Sequence, residues 1–182
     1  MLKDVSEINN EMNDAGLKDL ILKLDHVAYR VKKGEREKAM AELANLVPYK
    51  GYKTFKVISM DAITSTLKLH DTLPVIVVSE GLSDDSIVEK YVKKYGGRIH
   101  HLAYLVKDID KVVEIQKKRG VEFTTDYIIG SEDEGIKQIF TLPTSTANHI
   151  VEYVQRFGDF DGFFTPSNVG ALMKSTEKLG EA

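Results

Sequence analysis

The chain has 182 residues, a formal net charge of −3 and no cysteine. The absence of cysteine excludes disulfides, thiolate metal ligands and a cysteine nucleophile. Lysines and acidic residues are mixed along the chain, a pattern that favours neither nucleic acid nor an anionic membrane as a partner. With 42% hydrophobic residues, this length suits one domain or two closely fused halves.

The sequence shows no segment typical of export or of membrane insertion. Residues 1–17 are polar and lack the long apolar stretch of a signal peptide. The longest apolar run, residues 73–78, is far shorter than a membrane-spanning helix requires. We therefore expect a cytoplasmic protein.

In the first half, apolar periodicity predicts two helices and four strands. A stripe with helical spacing predicts a helix over residues 4–22, with a break near Gly16. A strand, a helix and three further strands are then expected at 24–31, 35–46, 53–60, 62–69 and 73–79. Ser86 followed by Glu89 fits a capping box at the start of a linking helix, and Gly96-Gly97 fits its end.

The second half predicts the same order of elements. A strand, a helix that ends before Gly120 and three strands are expected at 99–106, 110–119, 121–128, 136–142 and 148–155. The tail, residues 162–179, is expected to hold an apolar loop and a short helix.

The amino-acid sequence repeats together with the order of the predicted elements. Residues 24–32, Leu-Asp-His-Val-Ala-Tyr-Arg-Val-Lys, match residues 99–107, Ile-His-His-Leu-Ala-Tyr-Leu-Val-Lys, at an offset of 75. Two copies of this length predict fused βαβββ modules rather than a solenoid. We therefore predict an α+β fold in which two tandem modules form one cupped, mixed β-sheet with the helices outside. The predicted divisions are an N-terminal helical appendage, a first module with a linking helix, a second module and a C-terminal lid segment, at 1–22, 23–97, 98–158 and 159–182.

His26 and His101 occupy equivalent positions of this repeat. Strand alternation places His26 on the face away from the helices, whereas Asp25 and His100 fall on the helix side. Two histidines at equivalent positions of a duplicated sheet would meet near a pseudo-two-fold axis. Neutral imidazoles that meet in this way are natural metal ligands.

Glu152 lies in the middle of an otherwise apolar strand, where a carboxylate is costly to bury unless it is paired or ligates a cation. Taken alone, each of these residues fits a structural role as well, such as a satisfied histidine or a salt-bridge partner. Together, His26, His101 and Glu152 favour the two-histidine, one-carboxylate triad of non-haem Fe(II) oxygenases. Ligand type alone leaves another divalent metal, such as Mn, Co, Ni or Zn, open.

Several motifs around these residues resemble the vicinal-oxygen-chelate superfamily, and within it the catalytic C-terminal domain of the 4-hydroxyphenylpyruvate dioxygenase family. The resemblance covers most of the chain after the first 20 residues. It rests on three stretches, His101-Leu102-Ala103, Gln138-Ile139-Phe140-Thr141 and Glu152-Tyr153-Val154-Gln155-Arg156. It implies Fe(II) as the cofactor, a 2-oxo acid that chelates the ion through its carboxylate and keto oxygens, and O2 as the second substrate. Members of the superfamily often dimerise, which leaves a homodimer open.

The resemblance also implies candidate substrate contacts. Gln138 resembles a glutamine that lines the family's pocket, although a strand residue satisfied by a neighbour fits equally well. Ser79 stands where the family has asparagine, and the tail departs from the family's glycine-rich lid while it keeps Asn168. These departures predict a substrate other than hydroxyphenylpyruvate. The apolar tail either completes the core or forms a lid over the mouth of the cup, in which case Phe163, Phe164 and Asn168 would face the pocket.

Two alternatives stay open. A glyoxalase or epimerase of the same superfamily would carry a fourth metal ligand on the last strand of the first module. Aligning residues 75–80 with 151–156 puts Ile76 opposite Glu152, so that ligand is missing unless Glu80, through a slipped strand, or His70 replaces it. A metal-free small-molecule binding protein would need no ligands, and the intact triad argues against it.

Overall fold

The computed structural model describes residues 3–158 and 164–179. Five α-helices are found in this part of the chain: α1 (Val5–Asp14), α2 (Arg36–Leu46), α3 (Ile87–Tyr95), α4 (Ile109–Lys118) and α5 (Pro166–Ser175). The strands are β1 (Ile21–Val31), β2 (Lys50–Val57), β3 (Ala62–Lys68), β4 (Val75–Gly81), β5 (Arg98–Val106), β6 (Ile129–Ser131), β7 (Ile136–Phe140) and β8 (Ile150–Arg156). Short 3₁₀ turns follow β2 and α5, at Ile58–Met60 and Thr176–Leu179.

The strands form one eight-stranded sheet in the order β2-β3-β4-β1-β5-β8-β7-β6. In each half the first strand pairs in parallel with the last strand of the same half, β1 with β4 and β5 with β8. The halves meet where β1 and β5 run antiparallel. Two βαβββ modules related by a pseudo-two-fold axis between β1 and β5 have this topology, which confirms the predicted fold class. The four chain divisions stay a prediction.

Local side-chain chemistry sets where the helices begin and end. The Asp4, Ser86 and Asp108 side chains each accept a hydrogen bond from a backbone N–H in the first turn of α1, α3 and α4. Gly96 ends α3 with a positive φ of 78°, which glycine adopts without strain. The capping box predicted for α3 is only half formed, because the Glu89 carboxylate accepts from the Lys33 backbone N–H at 2.8 Å.

The N-terminal helix is shorter than predicted. The helix expected over 4–22 ends at Asp14, and the chain turns before β1 begins at Ile21. Leu17 and Leu20 are buried in this turn, in the same core cluster as Ile109 of α4. Their apolar spacing therefore reflects packing on α4 rather than a continuous helix.

The strand predicted over 121–128 is also wrong. Only an isolated bridge between Phe123 and Thr141 occurs there, and the three-residue strand β6 follows later. The Thr125 hydroxyl donates to the Tyr127 carbonyl oxygen at 2.7 Å. Such local side-chain bonds compete with strand pairing, so a β-rich composition does not produce a strand here.

The core lies on both faces of the sheet. On the outer face, Val27 and Val31 of β1 pack with Leu43 of α2. On the concave face, α5 contacts β2, β6 and β7, so this helix bridges the two modules. In the described part of the chain no helix is long and apolar enough to cross a membrane.

Candidate metal centre

His26 of β1, His101 of β5 and Glu152 of β8 meet on the concave face of the sheet. The Nε2 atoms of His26 and His101 lie 3.1 and 3.0 Å from Glu152 Oε2, and they are 3.2 Å from each other. Three donors at right angles around one ion, with bonds of about 2.1 Å, lie about 3.0 Å apart. The spacing of the three atoms therefore matches one face of an octahedral site.

The other ring nitrogen of each histidine contacts the preceding residue. Asp25 Oδ2 lies 2.9 Å from His26 Nδ1, and His100 Nδ1 lies 2.8 Å from His101 Nδ1. A proton on Nδ1 of His26 and of His101 satisfies both contacts. The Nε2 lone pairs are then directed at the centre of the triad, as is usual where an outer partner orients a ligating imidazole.

Two bulges place these partners. The pairing of β1 with β5 skips Asp25 in one strand and His100 in the other. A bulge interrupts the alternation of side chains along a strand. The prediction that Asp25 and His100 face the helix side is therefore wrong: Asp25 reaches the His26 ring, and His100 lines the same cavity as His101.

Gln138 of β7 orients the carboxylate. Its Nε2 donates to Glu152 Oε1 at 2.7 Å, and this leaves Glu152 Oε2 directed at the two histidines. Gln138 is fully buried, and its Oε1 has no hydrogen-bond partner among the described residues. A buried acceptor in this state costs on the order of 1–3 kcal/mol. Gln138 Oε1 thus marks a place for a donor that a ligand or water supplies.

Arg156, at the end of β8, holds Asp25 in turn. Its Nε and Nη2 atoms donate to the two carboxylate oxygens of Asp25 at 3.1 and 2.8 Å. The same guanidinium lies 5.4 Å from the ring centroid of Phe164, and that ring packs edge-on against His26 at 4.9 Å. The His26 ring is therefore fixed from two sides.

Without a bound cation, a proton takes its place in the triad. Burial lowers the pKa of His26, but the Glu152 and Asp25 carboxylates more than offset this effect and raise it to about 9. Burial raises the pKa of Glu152, but the charge of His26 and the hydrogen bonds from both histidines lower it to about 2. Burial also lowers the pKa of His101 below its usual value, which favours the neutral ring.

The donor set fits a divalent metal ion. When both imidazoles are neutral, the lone pairs of His26 Nε2, His101 Nε2 and Glu152 Oε2 converge on one point with no hydrogen between them. Such an arrangement is electrostatically unfavourable unless a cation lies at that point. Two imidazoles and one carboxylate are the ligands that non-haem Fe(II) takes in oxygenases.

The position equivalent to Glu152 in the first module holds valine. Glu152 pairs in register with Ala103, and Val77 pairs with Ala28, the repeat partner of Ala103. The alignment that put Ile76 opposite Glu152 is therefore wrong by one residue. Neither Ile76 nor Val77 has an atom that ligates a metal. The side chain opposite Glu152 is therefore not a fourth ligand with either alignment.

The two substitutes considered for that fourth ligand lie elsewhere. Glu80 accepts hydrogen bonds from the Gly34 backbone N–H at 2.7 Å and from Arg36 Nε at 3.3 Å, on the α2 side of the sheet. His70 is exposed and contacts the Thr72 hydroxyl. Neither side chain reaches the triad.

The triad opens into a cavity of about 50 Å³ between the sheet and residues 164–173. Of the predicted substrate contacts, Ser79, Gln138 and Phe164 line this cavity. Asn168 does not line it. The Asn168 side chain is buried beside β6, where a Cβ built on Gly130 would lie 3.2 Å from Asn168 Nδ2. Phe163 lies outside the described residues.

Sequence reasoning assigned no role to Arg30 or Thr64, which are polar residues of the cavity wall. Arg30 could have been found, because it follows His26 by four positions on the same strand and so shares its face. Thr64 gave no comparable signal, since hydroxyl residues are common in strands. The contact of Asp25 with His26 was not predicted, because the bulge at Asp25 interrupts the alternation of side chains along β1.

A sheet of paired βαβββ modules with a buried two-histidine, one-carboxylate cluster is the architecture of the vicinal-oxygen-chelate proteins. Residues 25–140 match the family model described as Glyoxalase/Bleomycin resistance protein/Dioxygenase superfamily. The chain belongs to this superfamily, which confirms the resemblance seen in its motifs. No protein among those with curated descriptions matches the chain.

Solved structures of two different kinds of enzyme share this fold. A methylmalonyl-CoA epimerase is 25% identical and aligns over 77% of this chain and 99% of its own, with a TM-score of 0.64. The methylmalonyl-CoA epimerase from Mycobacterium tuberculosis is 19% identical over 76% of this chain and 91% of its own, with a TM-score of 0.63. A variant of 4-hydroxymandelate synthase from Streptomyces coelicolor is 22% identical over 88% of this chain and 56% of its own, with a TM-score of 0.74.

Proposed function

We propose that the protein is a non-haem Fe(II)-dependent dioxygenase that acts on a 2-oxo acid other than 4-hydroxyphenylpyruvate. The observation that carries the proposal is the donor set of two imidazole nitrogens and one carboxylate oxygen, 3.0–3.2 Å apart. With Val77 at the fourth position, three protein ligands leave three coordination positions for a chelating substrate and O2.

Each residue of the centre has a distinct part in this function. When bound, Fe(II) supplies a Lewis acid for the carboxylate and keto oxygens of the 2-oxo acid, together with the redox chemistry that activates O2. His26, His101 and Glu152 would hold the ion, while Asp25 and His100 keep the two imidazoles in the ligating tautomer.

The rest of the wall binds and shields the substrate. Gln138 fixes the carboxylate of Glu152 and offers its Oε1 to a donor group on the substrate. Phe140 and Phe164 form apolar surface next to the histidines and exclude water from the reacting atoms.

An epimerase is the second candidate, because the epimerase structures align over nearly their full length. Proton exchange next to a carbonyl requires a base within reach of the substrate. Among the described residues that line the cavity, Glu152 is the only carboxylate, and it is a candidate metal ligand, while His100 is held against His101 Nδ1. No carboxylate among these residues is left to serve as the base, and this arrangement favours the dioxygenase. A metal-free binding protein is disfavoured, because it would not require two histidines and a carboxylate at one buried point.

The experiment is anaerobic reconstitution with Fe(II), followed by measurement of metal content, O2 uptake and CO2 release against a panel of 2-oxo acids. One CO2 released per O2 consumed supports the proposal, and Glu152→Ala protein treated identically is the control. In parallel, Co(II)-loaded protein is incubated with methylmalonyl-CoA in D2O. Deuterium incorporation next to the carbonyl, without O2 uptake on any 2-oxo acid, would replace the dioxygenase by the epimerase.

A further inference from the structure

A row of polar side chains crosses the first module beside the candidate metal centre. Arg30 of β1 pairs in register with Ser79 of β4, and Ser79 pairs with Thr64 of β3. All three side chains are buried and line the cavity that contains the triad. The hydroxyls of Thr64 and Ser79 lie 2.8 Å apart. One guanidinium and two hydroxyls therefore stand side by side on the concave face.

The guanidinium of Arg30 is held in a defined position. Its carbon lies 4.9 Å from the ring centroid of Tyr91 in α3, and its Nη2 donates to the Thr176 hydroxyl at 3.3 Å. Tyr91 also packs edge-on against His100, so Arg30 is connected to the metal centre through one aromatic ring. An arginine offers five N–H donors in a planar fork, a geometry that matches a carboxylate.

The second module lacks such a row. The repeat partner of Arg30 is Leu105, which pairs with Val154, and Val154 pairs with Gln138. Two of these three positions are apolar, and Gln138 is engaged with Glu152. Among the described residues that line the cavity, Arg30 is the only arginine or lysine, and its place in the first module gives a bound anion one preferred orientation.

We propose that Arg30, assisted by Ser79 and Thr64, binds a second carboxylate of the substrate, distal to the group at the metal. The inference rests on the proposed function and narrows it: the substrate is a 2-oxo acid with a carboxylate at its other end. Arg30 lies four residues beyond His26 on a strand, about 13 Å away at Cα. Both side chains extend into the shared cavity, so a short carbon chain spans the gap between the two sites.

The first test compares matched ligands on wild-type protein. Binding of 2-oxoadipate and of 2-oxohexanoate, which have equal chain length and differ in the terminal carboxylate, is measured by calorimetry on anaerobic Fe(II)-loaded protein. We expect 2-oxoadipate to bind roughly 10- to 100-fold more tightly, the range for a hydrogen-bonded charged group. Equal affinities would overturn the subsite and leave the proposed function standing.

The second test removes the charge. Arg30→Met should abolish the preference for 2-oxoadipate, and Arg30→Lys should restore part of it. Arg36→Met is the matched control, because Arg36 is a buried arginine of the same module that pairs with Glu80 outside the cavity. If the Arg30 variants fold, by circular dichroism, and keep the full preference, the subsite is wrong. If they do not fold, the comparison on wild-type protein decides.

Binding of two further ligands distinguishes a failure of this inference from a failure of the proposed function. Adipate, which lacks the keto group, should bind to wild-type protein and lose affinity in Arg30→Met. If adipate binding depends on Arg30 while no 2-oxo acid supports O2 uptake, the subsite stands and the dioxygenase proposal fails. Inorganic phosphate that binds more tightly than adipate, and also depends on Arg30, would overturn the assignment to a carboxylate.

Discussion

Asp25 and His100 occupy equivalent positions of the duplicated sheet, and each contacts Nδ1 of the candidate ligand that follows it, at 2.9 and 2.8 Å. One position carries an anion and the other an imidazole, although the bulges that place them are alike. Asp25 is held further by the Arg156 guanidinium, whereas His100 packs edge-on against the ring of Tyr91. The two histidines are therefore held by the same geometry but by different electrostatics.

This difference predicts unequal effects of removing the two partners. Asp25→Ala should weaken Fe(II) binding by roughly 10- to 100-fold, because an outer carboxylate fixes the tautomer and raises the basicity of its imidazole. His100→Ala should have a smaller effect, since the His100 ring orients His101 through Nδ1 but carries no carboxylate charge. Affinities are measured by competition with a coloured chelator, with the exposed Asp85→Ala as the control. Equal losses in the two variants would contradict the electrostatic argument.

The triad itself predicts the metal stoichiometry. His26→Ala, His101→Ala and Glu152→Ala should each lose most of the bound metal, because a two-ligand remnant binds a divalent ion far more weakly. Metal content is measured by mass spectrometry on anaerobically loaded protein. His70→Ala, which changes an exposed histidine outside the site, should keep the wild-type stoichiometry. If His26→Ala and Glu152→Ala both retain one ion per chain, the site lies elsewhere.

The metal-free protein should show a characteristic dependence of stability on pH. The pKa of His26 is raised from 6.5 to about 9, so its contribution to stability is fully present below pH 6.5 and is lost as the pH rises through about 9. The pKa of Glu152 is lowered from 4.5 to about 2, so its contribution is present above pH 4.5 and is lost as the pH falls through about 2. These two groups therefore stabilise the metal-free protein most between pH 4.5 and 6.5.

Urea unfolding of chelator-treated protein measures this effect. Between pH 6.5 and 9 the free energy of unfolding should fall by on the order of 3 kcal/mol through His26. Glu152→Gln should flatten the decrease, because the carboxylate that raises the pKa of His26 is then gone. Metal binding should also strengthen as the pH rises toward 9, since the ion must displace the His26 proton. A profile that is flat over this range in wild-type protein would show that His26 is not protonated there.

The sequence was sufficient to predict the modules and the triad because both depend on simple periodicities. The repeat aligned His26 with His101, and Glu152 stood out as a charge in an apolar strand. Side-chain alternation failed where the backbone departs from a regular strand, as at the bulges that carry Asp25 and His100. The single-residue error at Ile76 arose because the sequence of β4 does not reveal its register against β1.

The remaining errors came from long-range packing. Leu17 and Leu20 carry a helical spacing, but their burial in the α4 core cluster holds them in a turn. Strand alternation puts Arg30 on the face of His26, but its neighbours there, Tyr91 and Thr176, lie 61 and 146 residues away in the chain. Contacts of this kind leave no local pattern, and so a structure was needed to see the polar end of the cavity.

The last prediction concerns residues 164–179, which contribute part of the cavity wall. A cavity of about 50 Å³ has room for roughly three to five water molecules, far less than a 2-oxo acid needs. Phe164, Leu172 and Met173 form part of its wall, so substrate entry requires this segment to shift. Truncation is an ambiguous test, because these side chains are also buried core. A reversible tether is cleaner, and the absence of native cysteine makes it practical.

Ser59 and Gly170 offer the site for the tether, since a Cβ built on Gly170 lies 4.0 Å from Ser59 Cβ, within the range of about 3.5–4.5 Å for a disulfide. In the Ser59→Cys/Gly170→Cys protein, oxidation should leave metal content unchanged, slow removal of the metal by a chelator and suppress binding of 2-oxo acids. Dithiothreitol should restore the rate of metal removal and the binding of 2-oxo acids. The single-cysteine variants should not respond to oxidation. If the rate of metal removal and the binding of 2-oxo acids are the same after complete disulfide formation as in the dithiol protein, α5 is fixed core and ligands enter by another route.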